Sequence, residues 1–206
     1  MARKVGSDGT RTEEAIRAAA VALIARSGFA AVTLRDLARA VDLQPGSLYR
    51  YFPSKQALLR TLLVGHLEDL LASWRAARPA GDDPRAALEA FVAFHIRYHT
   101  TRRDEVFIAN MELRSLAPAD YAEVTGLRRA YEASLEEILA AGAAAGRFRL
   151  PDVKVATFAI IAMLTGVCTW YREDGRLSQD ALVDVHVRLV LEGVGAGLVD
   201  PSGRSV

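Results

Sequence analysis

A chain of 206 residues, 51% hydrophobic and 25% charged, is long enough for a small module beside a larger one and too apolar to stay disordered. Its single cysteine, Cys168, excludes an internal disulfide framework and fits a reducing cytoplasm, and the short polar stretch at residues 1–7 is not a signal peptide. The net charge of +1 is uneven. Residues 1–55 carry nine Lys/Arg against five Asp/Glu, and residues 56–206 carry 17 against 20, so a polyanion partner is expected for the head alone.

Helix formers dominate and runs of β-branched residues are missing, which predicts an all-α fold. Residues 1–9 read as a flexible basic arm. Thr10 then opens a helix with Glu13 completing a capping box; Ile16, Ala20, Leu23 and Ile24 share its inner face, and Gly28 stops it. Thr33 caps a second, shorter helix, with Asp36 at the reciprocal position. After a tight connection at Asp42 and Leu43, Pro45 sits where a first helical turn accepts it, giving a third helix over about residues 45–51. Pro53 ends that helix and Ser54 caps a long fourth one. Residues 75–83 read as a loop, and Asp83 and Pro84 start a fifth helix. Further helices are predicted over residues 104–116, 118–145, 152–171 and 178–194, followed by a disordered tail at 196–206.

Two short capped helices joined by a tight turn and stacked on a longer one have the layout of a helix-turn-helix. Its third helix is too short and too polar to serve as core. Leu48 and Phe52 face inward, while Gly46 and Ser47 allow close approach to a phosphate or a base edge. Tyr49 and Tyr51 can offer phenol hydrogen bonds to phosphate and apolar contact to a thymine methyl, although Tyr51 fits the small core equally well. Arg50 suits phosphate contact. Lys55 at the start of the fourth helix, with Thr33 and Arg35 from the second, would meet flanking phosphates.

Thr33-Leu34-Arg35-Asp36-Leu37-Ala38, then Ser47-Leu48-Tyr49-Arg50-Tyr51-Phe52, then Ser54-Lys55 and Leu58 resemble the DNA-binding domain of TetR-family (tetracycline-repressor-like) regulators over about residues 10–60. Where many relatives cap the recognition helix with Ser or Thr, this chain has Gln44 before Pro45, which weakens the cap or gives Gln44 a base-reading role. The resemblance implies a three-helix DNA-binding domain at residues 10–55 and a larger helical ligand-binding and dimerisation domain at 56–195. It also implies a homodimer on double-stranded, palindromic operator DNA, and a small-molecule effector that lifts repression. No cofactor is implied.

Independently, residues 152–171 are apolar nearly all round, with Val155, Phe158, Ile160, Ile161, Met163, Leu164, Val167 and Trp170. Such a helix must be covered on every side. A second apolar helix carries Val183, Val187, Leu189, Val190 and Leu191, and two copies of each would form a four-helix dimer seam. For the effector cavity the expected residues are His66, Leu70, Phe91, Phe94, His95, Tyr98, Phe107, Asn110, Met111, Arg114, Tyr131 and Trp170, all of which would also serve as core. His95 and His99 stand at a metal-binding spacing without an evident third ligand. Glu112 and Arg114 are expected as structural ion pairs.

The runs Glu112-Leu113-Arg114-Ser115-Leu116, Thr169-Trp170-Tyr171-Arg172 and Gly175-Arg176-Leu177-Ser178 resemble one TetR branch, which regulates fatty-acid, steroid and aromatic-acid breakdown in response to acyl-CoA thioesters. An apolar tunnel with Arg102, Arg103, Arg128 or Arg129 near its mouth would suit such an effector. The alternative within regulation is a multidrug- or antibiotic-sensing repressor of an efflux pump. An enzyme is not expected: Cys168 lies in an apolar helix, and no serine elbow, metal set or phosphate loop is present.

Overall fold

The computed structural model describes residues 7–195; the expectations for residues 1–6 and for the tail lie outside the described residues. These contain α1 (Ser7–Ser27), α2 (Leu34–Ala40), α3 (Pro45–Leu48), α4 (Lys55–Ala77), α5 (Pro84–Thr101), α6 (Arg103–Met111), a 3-10 turn (Leu113–Ser115), α7 (Pro118–Ala144), α8 (Val153–Trp170) and α9 (Gln179–Gly193).

Most boundaries lie where the caps put them. Asp83, Asp152 and Ser178 each accept a hydrogen bond from a backbone N–H in the first turn of the helix that follows, and Ser54 Oγ accepts from Ala57 N–H at 3.0 Å. Gly28 ends α1 at a φ of +78°, where a side chain would be strained.

Three boundaries differ. The first helix begins at Ser7, so Thr10 lies inside it rather than capping it; a capping box marks where a helix can begin, and the chain before it is free to extend the helix by a turn. The third helix stops at Leu48. Beyond it the N–H groups of Arg50, Tyr51 and Phe52 bond back to Ser47 O and Leu48 O in tighter turns, until Pro53 forces the chain to extend. The sixth helix ends at Met111 and tightens into the 3-10 turn, which sets the Ser115 hydroxyl on the Glu112 carboxylate.

The chain divides into two compact units. Among the described residues, unit one holds the chain up to residue 68 together with 103–127, and unit two holds 69–102 together with the chain from residue 128 onward. In unit one, α1 packs against α2 and α6, and α2 against α3, around Ile16, Ile24, Phe29, Leu37, Leu48, Phe52, Leu58, Leu59 and Ile108. Gln56 Nε2 donates to Ser115 O at 2.8 Å, and the Arg60 guanidinium forks onto Glu123, Nε and Nη2 each at 2.6 Å. Segment 103–127 therefore belongs with the helix-turn-helix because α1 and α4 need it to cover their apolar faces and satisfy their polar ends.

In unit two, α5 packs against α8 and α9 and is buried nearly all round. Gln179 Nε2 donates to Thr100 Oγ1 at 2.8 Å, and Arg97 pairs with Asp180 at 2.9 Å. After α7 the chain folds back so that Phe148 lies on Gly142, where an added Cβ would stand 1.9 Å from the ring. Gly142→Ala is therefore expected to destabilise the protein by about 1–3 kcal/mol, despite alanine's better helix propensity, because the buried ring must move. Urea unfolding measures it.

Candidate DNA-reading surface and effector-binding core

The reader is built on the cap of α2. The Thr33 hydroxyl accepts from Asp36 N–H at 3.2 Å while Asp36 Oδ2 accepts from Thr33 N–H at 3.0 Å, closing the box. The Thr33 hydroxyl and backbone together hold the Asp36 carboxyl below the usual carboxylate range. A depressed carboxylate stabilises at neutral pH, and its contribution is lost as the pH falls through that lowered value.

Arg35, next on α2, is exposed, as are Gln44, Pro45, Gly46, Tyr49 and Arg50 around α3; Ser47 and Tyr51 are half-buried. Leu48 and Phe52 are buried and hold α3 against the domain. Gln44 is the N-cap of α3, but its side chain makes no cap hydrogen bond. Among the described residues the side chains of Arg35 and Arg50 hold no ion pair or hydrogen bond, whereas Arg17, Arg39 and Arg60 are all paired with acids. Two unpaired guanidiniums beside an exposed phenol make a surface suited to phosphate and base edges.

Lys55 does not join that surface through its ammonium. Its Nζ donates to Phe29 O at 2.7 Å, Val32 O at 2.9 Å and Ala30 O at 3.3 Å, and sits 4.3 Å from the Phe29 ring centroid. Its three protons are committed to carbonyls of the loop between α1 and α2. Lys55→Met is accordingly expected to cost about 2 kcal/mol of stability while leaving the dependence of operator affinity on salt unchanged. Arg35→Ala and Arg50→Ala should each lower the slope of log K against log salt by about 0.9. Titrations at several salt concentrations separate the two effects.

Phe29 is held from the other side by α6. Its N–H donates to Glu112 Oε1 at 2.9 Å, and Ser115 Oγ donates to Glu112 Oε2 at 2.8 Å. Glu112 is thus a buried cap for a loop 83 residues away rather than one half of an ion pair, and Arg114 is exposed. No local pattern announces such a partner.

The expected effector residues separate. His66, Phe107, Asn110, Met111 and Arg114 belong to unit one, where Phe107 and Met111 are exposed at 45% and 49%. Leu70, Phe91, Phe94, His95, Tyr98 and Tyr131 belong to unit two, and the rings gather around Trp74, which sequence reasoning left out. Trp74 meets Phe91 edge-on at 5.0 Å and Phe94 at 5.5 Å; Tyr131 lies 5.3 Å from Phe91, and Tyr98 lies 5.5 Å from Phe94.

Inside this cluster His95 Nδ1 is 3.1 Å from the Tyr131 hydroxyl and Nε2 is 3.1 Å from Thr165 Oγ1, a second residue that sequence reasoning missed. Burial, and then the neighbouring His99, push His95 well below its usual value; burial pushes the Tyr131 phenol well above its own. Both are neutral near pH 7. The His99 ring stacks on His95 at 3.8 Å, and its Nδ1 donates to His95 O at 2.9 Å. With both His95 nitrogens on hydroxyls, the pair is arranged for hydrogen bonding rather than metal ligation, and among the described residues no three metal-ligating side chains converge. The Arg102 guanidinium covers the Tyr98 ring at 4.1 Å.

Comparison with known proteins decides what these parts belong to. The model of bacterial regulatory proteins of the tetR family matches residues 16–62, and that of the tetracyclin repressor-like C-terminal domain matches residues 81–194. The transcriptional repressor KstR2 of Rhodococcus jostii is 30% identical over 193 residues, 93% of this chain and 94% of that protein. The chain belongs to the TetR family. It is a DNA-binding regulator of transcription and not an enzyme. The TetR structure of KstR2 from Mycobacterium tuberculosis superposes with a TM-score of 0.80 at 25% identity, covering 93% of this chain and 96% of that one. AibR, in complex with isovaleryl coenzyme A and operator DNA, shares the fold with a TM-score of 0.77 at 24% identity, covering 86% and 97%.

All the expected DNA-reading positions, residues 33–55, lie within the TetR reader match, and α5 to α9 lie within the C-terminal one. In that second part, α8 and α9 expose Val155, Phe158, Met163, Trp170, Val185 and Leu189. Trp170 is 55% exposed and stacks on His186 at 6.2 Å, so it lies on this open face and not in the aromatic cluster. By length and composition α8 could cross a membrane, with 22% of its residues buried in the chain. Its residues 157, 160, 164 and 167 face the interior, while 155, 158, 163 and 170 form a second, exposed stripe.

Proposed function

We propose that this TetR-family protein is a cytoplasmic, homodimeric repressor that grips a palindromic operator and is released by an acyl-CoA thioester. Two copies of α8 and α9, paired through their open faces, make the dimer. Two short α3 readers, each weak alone, then engage two half-sites. The effector favours a conformation in which the readers leave operator spacing, and a few kcal/mol of differential affinity is sufficient for release. Helix α4 is suited to carry the tilt, because Lys55 at one end is fixed to the reader and Trp74 toward the other belongs to the aromatic core.

The observation that carries the effector class is the aromatic core of unit two with Arg102 stacked on Tyr98 at its edge: rings for an acyl group, a guanidinium for a phosphate. KstR2 is a ketosteroid transcriptional regulator, and AibR, which shares the fold, is known in complex with isovaleryl coenzyme A; both likenesses support the reading. A drug-sensing pocket for aromatic cations would want a buried carboxylate. Among the described residues Glu112 is the buried acid, and it is engaged with Phe29 and Ser115 in unit one.

Calorimetry against short, long and cyclic acyl-CoAs tests the effector class. Saturable binding of at least one ester is expected, and binding of none across the panel overturns it.

A further inference from the structure

Thr33, Asp83, Asp152 and Ser178 each cap a helix with a side-chain oxygen, and Gln44, at the same place before α3, does not. Its backbone carbonyl accepts from Ser47 N–H at 2.8 Å. Its carboxamide holds no hydrogen bond among the described residues, and the residue is exposed. Glutamine is one methylene longer than asparagine and is not among the residues that cap well. Ser, Thr, Asn or Asp at position 44 would stabilise the start of α3, so folding does not explain the glutamine.

The chemistry of the other reading side chains sets Gln44 apart. Between residues 33 and 56 the sequence has two carboxamides, Gln44 and Gln56, and Gln56 Nε2 is committed to Ser115 O at 2.8 Å. The exposed guanidiniums of Arg35 and Arg50 carry donors only, and Tyr49 presents a single hydroxyl. The Thr33 hydroxyl is closed into the capping box of α2. A carboxamide holds a donor and an acceptor side by side. Of the four bases, adenine alone answers that pair in the major groove, with N7 accepting and N6–H donating; a phosphate offers acceptors only.

The placement agrees with the chemistry. In a helix-turn-helix, base edges are met by the N-terminal residues of the recognition helix, the end at which Gln44 stands. Pro45 and Gly46 beside it are exposed, and a Cβ added at Gly46 would meet nothing within 4 Å, so no other part of the domain crowds this turn.

We propose that the Gln44 carboxamide reads one adenine in each operator half-site, Nε2 donating to N7 and Oε1 accepting from N6. The inference rests on the operator-binding dimer above and adds the base and the residue that selects it. Because Gln44 is neutral, it acts on base choice and leaves the salt dependence expected of Arg35 and Arg50 untouched.

Selection of duplexes from a random pool, with wild type and Gln44→Ala at one salt concentration, gives the first half of the test. Wild type should require an A·T pair at one position of each half-site, and the alanine variant should lose that requirement and keep the others. A G·C pair there should weaken wild-type binding about five- to 150-fold per half-site, and leave the variant nearly unchanged. The second half replaces that adenine with 7-deazaadenine, which keeps N6 and the pairing and lacks the N7 acceptor. Wild type should weaken about three- to tenfold per half-site and the alanine variant should not respond. Gln44→Ser supplies the folding control: with a better cap, its urea midpoint should be no lower than that of wild type.

The proposal is overturned if the alanine variant selects the wild-type sequence with undiminished preferences, if the pair it ceases to require is not A·T, or if both proteins respond equally to 7-deazaadenine. It is also overturned if Gln44→Ala weakens specific and non-specific duplexes alike, the mark of a phosphate contact, or if Gln44→Ser unfolds at lower urea, the mark of a structural one. If wild type selects no sequence at all, the operator reading falls as well; if it selects one, that reading stands whatever the variants do.

Discussion

Phe158→Glu combined with Leu189→Glu is expected to convert the dimer into a folded monomer and to lower operator affinity by on the order of a hundredfold or more. Both side chains are about half exposed on the open face, 48% and 49%, so neither contributes much to the core of unit two. Val155, Phe158, Met163 and Trp170 are exposed along α8, and Val185 and Leu189 along α9. Covered by a second copy, each glutamate would be an unpaired charge at an apolar seam, a cost of several kcal/mol per subunit. The operator loss follows from valency. Once one reader is bound, the second acts at an effective concentration set by the dimer, and removing that linkage forfeits a factor of about 10² to 10⁴. Sedimentation velocity and circular dichroism together measure it: a monomer with undiminished helix content is the expected result, and an intact dimer would move the interface elsewhere.

Glu112→Ala should destabilise the protein by about 2–3 kcal/mol and weaken operator binding, although Glu112 is remote in sequence from every reading residue. Removing its carboxylate leaves the buried Phe29 N–H without its acceptor and the Ser115 hydroxyl without its partner. It also frees the loop whose carbonyls hold Lys55, so α1, α2 and α4 lose a shared anchor. Glu112→Gln keeps an oxygen for Phe29 N–H and should retain most of the stability. Denaturant unfolding of the two variants checks the order. Equal stability of wild type and the alanine variant would mean that water or a neighbouring group satisfies Phe29 equally well.

The helices were legible because their signals are local. A capping box at Thr33 and Asp36, a proline after Asp83 and an aspartate cap at 152 can each be read within four or five residues, and the structure uses them. The helix-turn-helix was legible by resemblance, and Arg35, Tyr49 and Arg50 are exposed on it. What stayed hidden depends on partners far along the chain. Lys55 was expected on a phosphate because it opens a helix beside the reader, yet its acceptors lie 23 to 26 residues back. Glu112 was expected in an ion pair, while its partner is a backbone N–H 83 residues away. The aromatic list for the effector was drawn from residue type, which does not distinguish Phe91 in the cluster from Phe107 and Trp170 in the open, or name Thr165 and Trp74 at all.

The measurement that bears most directly on an effector-released repressor is a fluorescence-anisotropy titration of the protein onto the DNA upstream of its own gene. It would be run at fixed, near-physiological salt with non-specific duplex as competitor, with and without acyl-CoAs. The account predicts specific binding of that DNA by the dimer, abolished by one class of ester and by no other. Specific binding that no ester disturbs would contradict the acyl-CoA release mechanism while leaving the TetR-family reader in place.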